Sequence, residues 1–79
     1  MLTRALGKTG LRTTEVALGT WGLAAGTYGA VPVERFEQTV MRALEVGVRT
    51  FDVAPTWGED GAAERVVARA VGFKRDEVV

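Results

Sequence analysis

Val48-Arg49-Thr50-Phe51-Asp52-Val53-Ala54-Pro55-Thr56-Trp57-Gly58 lies between two amphipathic stretches, and its reading decides the fold. Val48 to Val53 reads as a strand with Asp52 near its C-terminal end. Ala54 to Gly61 has the composition of a turn-rich loop. Upstream, from Pro32 to Gly47, Phe36, Val40, Ala43, Leu44 and Val48 recur at steps of three and four, with Val33 one turn earlier. Glu34, Arg35, Glu37, Gln38, Arg42 and Glu45 mostly fill the other side, so this stretch is an amphipathic helix. Pro32 suits its start and Gly47 its C-terminal cap. Downstream, Ala62, Ala63, Val66, Val67, Ala70 and Val71 form a second apolar stripe between about Gly61 and Val71, with Glu64, Arg65 and Arg69 off it and Gly72 closing the helix.

Further out, Val16-Ala17-Leu18 is a short apolar run ending at Gly19, which fits a strand buried on both faces. Gly22 to Ala30 holds three glycines and Tyr28, a loop composition directly after that strand. Arg4-Ala5-Leu6 and Arg12-Thr13-Thr14 flank Gly7-Lys8-Thr9-Gly10, which predicts a small hairpin. Asp76-Glu77-Val78-Val79 reads as the beginning of another strand. The expected order is a hairpin over about 3–14, a first βα unit over about 15–47, a second over about 48–72, and a third strand starting at 76–79. Strands alternating with helices imply right-handed βαβ units, a parallel sheet and an α/β fold.

Composition excludes several function classes. The 79 residues are 47% hydrophobic and 25% charged, with ten basic and ten acidic side chains and no net charge. That is ordinary globular usage rather than a disordered one. No basic stripe points to nucleic acid. There is no Cys, hence no disulfide and no thiolate metal site, and no His, the usual acid/base near neutral pH. No segment approaches the roughly 18 apolar residues of a membrane span, and Met1-Leu2-Thr3-Arg4 lacks the apolar core of a signal peptide. A cytoplasmic setting without membrane or nucleic-acid partners is the expectation.

The chemistry concentrates at Asp52. A carboxylate at the end of a buried strand is costly unless it is paired, and in βα folds the C-terminal ends of strands are where sites are built. The competing reading is an Asp that caps the following loop through its own backbone. Both stand on the residues alone.

Leu6-Gly7-Lys8-Thr9-Gly10-Leu11, Leu18-Gly19-Thr20-Trp21, Ala43-Leu44-Glu45-Val46-Gly47-Val48-Arg49-Thr50-Phe51-Asp52-Val53-Ala54, Trp57-Gly58 and Glu64 together resemble the N-terminal pattern of the aldo/keto reductases. The resemblance covers almost the whole chain, in order and with the family's spacing. It implies the N-terminal portion of a (β/α)₈ TIM barrel: a hairpin closing the bottom, then βαβα and the start of a third strand. It also implies reduction of a small carbonyl substrate by hydride transfer from NADPH. The family uses an Asp, a Tyr, a Lys and a His. Asp52 matches the Asp, while the Lys and His belong to strands further along, and neither Lys8 nor Lys74 occupies the Lys position. Gly19, Thr20 and Trp21, with Asp52, match residues that approach the cofactor.

Trp57 stands where the family has its Tyr. Indole N–H donates a hydrogen bond but does not titrate in water's range, so Trp57 cannot deliver a proton to a developing alkoxide. Its other reading is an aromatic filling space at the barrel mouth. Tyr28, outside that register, reads as packing or ligand contact before it reads as a substitute acid. Glu64 matches an early Glu of the second helix, or is simply a solvent-facing residue paired with Arg65 or Arg69.

A full barrel takes about 250 residues, and this chain offers two βα units. Domains this short bury only about 60% of their unfolded surface. Open parallel edges invite self-association. Two functions are therefore expected as alternatives: a reductase fragment inactive by itself, or a non-enzymatic piece that folds by association.

Overall fold

A computed structural model describes residues 1–23, 29 and 31–79, with Leu23 and Glu59 described by their backbone alone. Tyr28 and most of the glycine-rich loop lie outside the described residues. The chain begins with strands β1 (Thr3–Ala5) and β2 (Arg12–Thr14), an antiparallel hairpin in which Arg4 faces Thr13. The turn between them uses positive φ at Gly7 and Gly10 (55° and 80°), conformations that only glycine adopts without strain. Strand β3 (Leu18–Gly19) follows, then helix α1 (Val33–Glu45), strand β4 (Phe51–Asp52) and helix α2 (Ala62–Val71).

Helix α1 starts one residue after Pro32, whose own backbone is extended (φ −60°, ψ 140°). It ends in a Schellman cap: Gly47 N–H donates to Leu44 O, and Val48 N–H donates to Ala43 O, both near 3 Å. Gly47 takes φ 102° to allow this, the standard use of glycine after a helix. The guanidinium of Arg49 then donates to Leu44 O at 2.8 Å and Val48 O at 2.9 Å, adding a side-chain donor to the cap. Helix α2 ends at Gly72, φ 51°.

β3 and β4 pair in parallel, Leu18 opposite Phe51 and Gly19 opposite Asp52. Side chains alternate across a strand pair, so the register divides the two faces. Leu18 and Phe51 pack on the cluster of Phe36, Val40 and Val66 supplied by α1 and α2. Val40 and Ala63 are fully buried, and Leu44, Val48 and Val71 nearly so. Glu37 of α1 and Arg69 of α2 add a 3.6 Å ion pair across the helices. Arg69 is thus engaged with Glu37, not with Glu64 as the sequence allowed.

Three expectations are corrected. The Val16-Ala17-Leu18 run is not a doubly buried strand: β3 covers only Leu18–Gly19, and Val16 is 54% exposed. Val16 follows the bend at Glu15, and among the described residues no layer covers the second face of the sheet. Secondly, Val33, at the first position of α1, is exposed rather than part of the core stripe. Thirdly, Asp76 and Glu77 are not in a strand. Gly72–Glu77 continues in 3-10 turns, and the chain becomes extended at Val78 (φ −123°, ψ 155°). Val79 then makes the two bonds of a parallel bridge. Its N–H donates to Arg49 O, and its carbonyl accepts from Phe51 N–H, both at 2.8 Å. β4 is therefore flanked by β3 on one side and by Val79 on the other, in chain order. The architecture is α/β.

Candidate functional site

The two ends of β4 are built differently. At its N-terminal end the hairpin is fastened by threonines. Thr14 N–H donates to Thr50 Oγ at 2.9 Å, and Arg49 N–H donates to Thr14 Oγ at 3.1 Å. Thr14 Oγ donates to Val16 O at 2.7 Å and lies 3.2 Å from Thr50 Oγ. Thr14 is 6% exposed, so this network sits out of water. The sequence reading missed it. Its only trace there is a Thr at the hairpin's end and another two residues before Asp52.

At the C-terminal end stand Gly19, Thr20, Trp21 and Asp52. β-pairing sets Gly19 beside Asp52, with both on the face turned away from the helices. Asp52 is exposed. This corrects the expectation of a carboxylate at the end of a buried strand: the face it shares with Gly19 has no covering layer among the described residues, so the carboxylate keeps its water. Gly19 has no positive φ, and a Cβ built on it would meet nothing within 4 Å. Neither backbone conformation nor packing among the described residues requires glycine there. Among them, bare backbone lies next to an exposed carboxylate. Glycines in strands often mark such places, where another group approaches the backbone closely.

Thr20 follows on the opposite, helix-facing side and is fully buried. Its N–H donates to Asp52 O at 3.1 Å and its hydroxyl donates to the same carbonyl at 2.8 Å. Trp21 opens a 3-10 turn, Trp21–Leu23, and is 46% exposed, its ring at the same end of the sheet. Trp57 is half-buried. Its N–H donates to Ala54 O at 3.2 Å, and its carbonyl accepts from Ala63 N–H at 3.0 Å. This ties the loop after β4 to the first turn of α2. Between them, Gly58, Asp60 and Gly61 all take positive φ (81°, 50° and 72°), and Asp60 is the one non-glycine among the described residues to do so.

The remaining candidates lie elsewhere. Glu64, exposed on α2, borders an open apolar groove with Phe51, Val53, Val67, Val71 and Val79. Lys8 is in the hairpin turn and Lys74 in the turns after α2; both are exposed. The structure thus gathers Gly19, Thr20, Trp21 and Asp52 at one strand end, and leaves the lysines on other segments. Among the described residues no helix is long and apolar enough to cross a membrane.

An exposed carboxylate, accessible backbone and a flat exposed ring are groups that could hold the sugar and ring end of a nicotinamide cofactor. The carboxylate can accept hydrogen bonds from ribose hydroxyls, and the ring offers an apolar face.

The sequence model of the Aldo/keto reductase family matches residues 15–79. Aldo-keto reductase YhdN of Bacillus subtilis is 30% identical over 77 residues, covering 95% of this chain and 23% of its own length. A putative voltage-gated potassium channel subunit beta of Schizosaccharomyces pombe is 34% identical over 79 residues, covering 96% of this chain and 22% of its own. The chain spans less than a quarter of the curated relatives it matches. With the family model covering both βα units and the end of β4 where Asp52 stands, this chain belongs to the aldo/keto reductase family.

Proposed function

We propose that these residues are the N-terminal portion of a (β/α)₈ barrel of NADPH-dependent carbonyl-reductase type, and that the chain alone does not turn over. The Gly19–Asp52 pair carries this reading. The helices take one face of the β3–β4 pair; on this reading the other face lines a barrel interior. Active sites of such barrels gather at the C-terminal strand ends. NADPH, when bound, supplies the hydride. Asp52 and the Gly19–Trp21 segment would hold its nicotinamide end, while the family's Lys and His positions fall outside these residues. Purified chain is expected to show no NADPH-dependent reduction of an aldehyde. Turnover that survives purification and disappears in Asp52→Asn would overturn the claim of inactivity. Titrating NADPH against the emission of Trp21 and Trp57 measures binding separately; saturable quenching at micromolar cofactor would mean that this portion binds by itself.

A second reading is favoured by Trp57. With indole at the family's Tyr position the proton donor is absent, and the loss of a positioned general acid costs about 10²–10⁴ in rate. One similar protein is named as a channel subunit rather than as an enzyme. An assembly piece is thus the alternative, and the groove beside Glu64 and the edge of β3, unpaired among the described residues, are where a second chain would add. On this reading the chain associates in solution. A sharp cooperative melt at monomer mass, by sizing and light scattering, would contradict it.

A further inference from the structure

Thr20 is matched by the family pattern as part of a segment near the cofactor, yet its hydroxyl is turned inward. It is fully buried, and its proton is directed at Asp52 O at 2.8 Å, where its own N–H also donates at 3.1 Å. A buried hydroxyl so engaged has nothing left to offer a ligand in front of the sheet. Its partner carbonyl, however, belongs to the residue whose carboxylate occupies that face. β4 has just ended as a ladder at Asp52, and two residues later the chain is in the loop leading to Trp57. The ladder bond from Thr20 N–H alone would hold that carbonyl; the hydroxyl adds a second donor, fixing ψ of Asp52 and so restricting the rotamers its side chain can adopt. Both donors come from Thr20, the residue that follows β3.

We propose that Thr20 is a positioning residue for Asp52: its hydroxyl acts on the site by holding the Asp52 peptide, and so the direction of its carboxylate, rather than by contacting a bound molecule. The inference rests on reading Asp52 as a site residue. Its test uses no cofactor, so the strap can fail while that reading stands, and the cofactor titration can fail while the strap stands.

The test compares two volume-matched pairs in the full chain, Thr20 with Thr20→Val and Thr20→Ser with Thr20→Ala. Two quantities are read by mass spectrometry: amide hydrogen exchange over residues 51–54, and the rate of carbodiimide labelling of the Asp52 carboxylate relative to the exposed Asp76. Losing one buried hydrogen bond should speed exchange over 51–54 about threefold to tenfold in Thr20→Val against wild type. Thr20→Ala should exceed Thr20→Ser by a similar factor. Labelling of Asp52 relative to Asp76 should change in the Val and Ala variants and stay within about twofold of wild type in Thr20→Ser. If Thr20→Val loses protection throughout the chain, the Ser and Ala pair decides alone. Equal Asp52 labelling and equal 51–54 exchange in Ser and Ala would make Thr20 a packing residue and overturn the proposal. So would a Thr20→Ser variant that behaves like Thr20→Val.

Discussion

The two ends of β4 use threonine to opposite purposes. At the N-terminal end, Thr14 and Thr50 meet across a buried junction, and the hydroxyls spend their hydrogen bonds joining the hairpin to the sheet. At the C-terminal end, Thr20 also spends its hydroxyl on the backbone, but the residue it fastens, Asp52, points an exposed carboxylate into open space beside Gly19. One end is closed and satisfied. The other leaves the Asp52 carboxylate exposed. On the proposed reading, this is the division between stability at the N-terminal strand ends and chemistry at the C-terminal ones that βα barrels generally show.

The contrast can be broken at its closed end first. Thr14→Val should have the largest effect on stability. It strips a buried hydroxyl from Arg49 N–H, Val16 O and Thr50 Oγ, and leaving such groups unpaired costs about 2–4 kcal/mol in all. The urea midpoint should fall accordingly, and the Arg49 amide should lose its exchange protection. Next comes Gly47→Ala. A side chain at φ 102° is strained, and the cap of α1 should weaken by about 1–2 kcal/mol, read from the same unfolding curve. Severing the Glu37–Arg69 pair with Arg69→Ala should cost less. Arg69 is 67% exposed, and ion pairs of this kind are worth about 0–1 kcal/mol. Smallest of all is the open end: Asp52→Asn should leave the unfolding midpoint where it is, because the carboxylate is exposed. A large shift there would show that Asp52 is structural and would erase the distinction between the two ends.

The helices were legible because their apolar steps of three and four meet one another: Phe36, Val40 and Leu44 on α1, Val66 and Val71 on α2, all buried. Glycine marked both helix ends, as positive φ at Gly47 and Gly72 requires. The strands were harder. β3 and β4 are two residues each, too short for a period of two to register, and the apolar run at Val16 exaggerated the extent and burial of the first. The Asp76–Val79 stretch has strand-like valines at its end, but the chain leaves α2 through further helical turns and pairs only at Val79. At the site, Asp52 and Gly19 stood out by position, and their juxtaposition follows from a register that no local pattern encodes. The inward turn of Thr20 and the Thr14–Thr50 junction are long-range hydrogen bonds between residues more than 30 apart in the chain. Nothing in the composition of either neighbourhood announces them.

The central claim is that the open end of β4 is a reductase site lacking its proton donor at Trp57. It is tested most directly by joining residues 1–79 to the remaining three quarters of the Bacillus subtilis relative and following NADPH consumption with an aldehyde. The account predicts weak turnover in the joined protein, a gain of about 10²–10⁴ on Trp57→Tyr, and loss of that gain when Asp52→Asn is added. A joined protein that binds NADPH but gains nothing from Trp57→Tyr, or that keeps its activity without the Asp52 carboxylate, would contradict it.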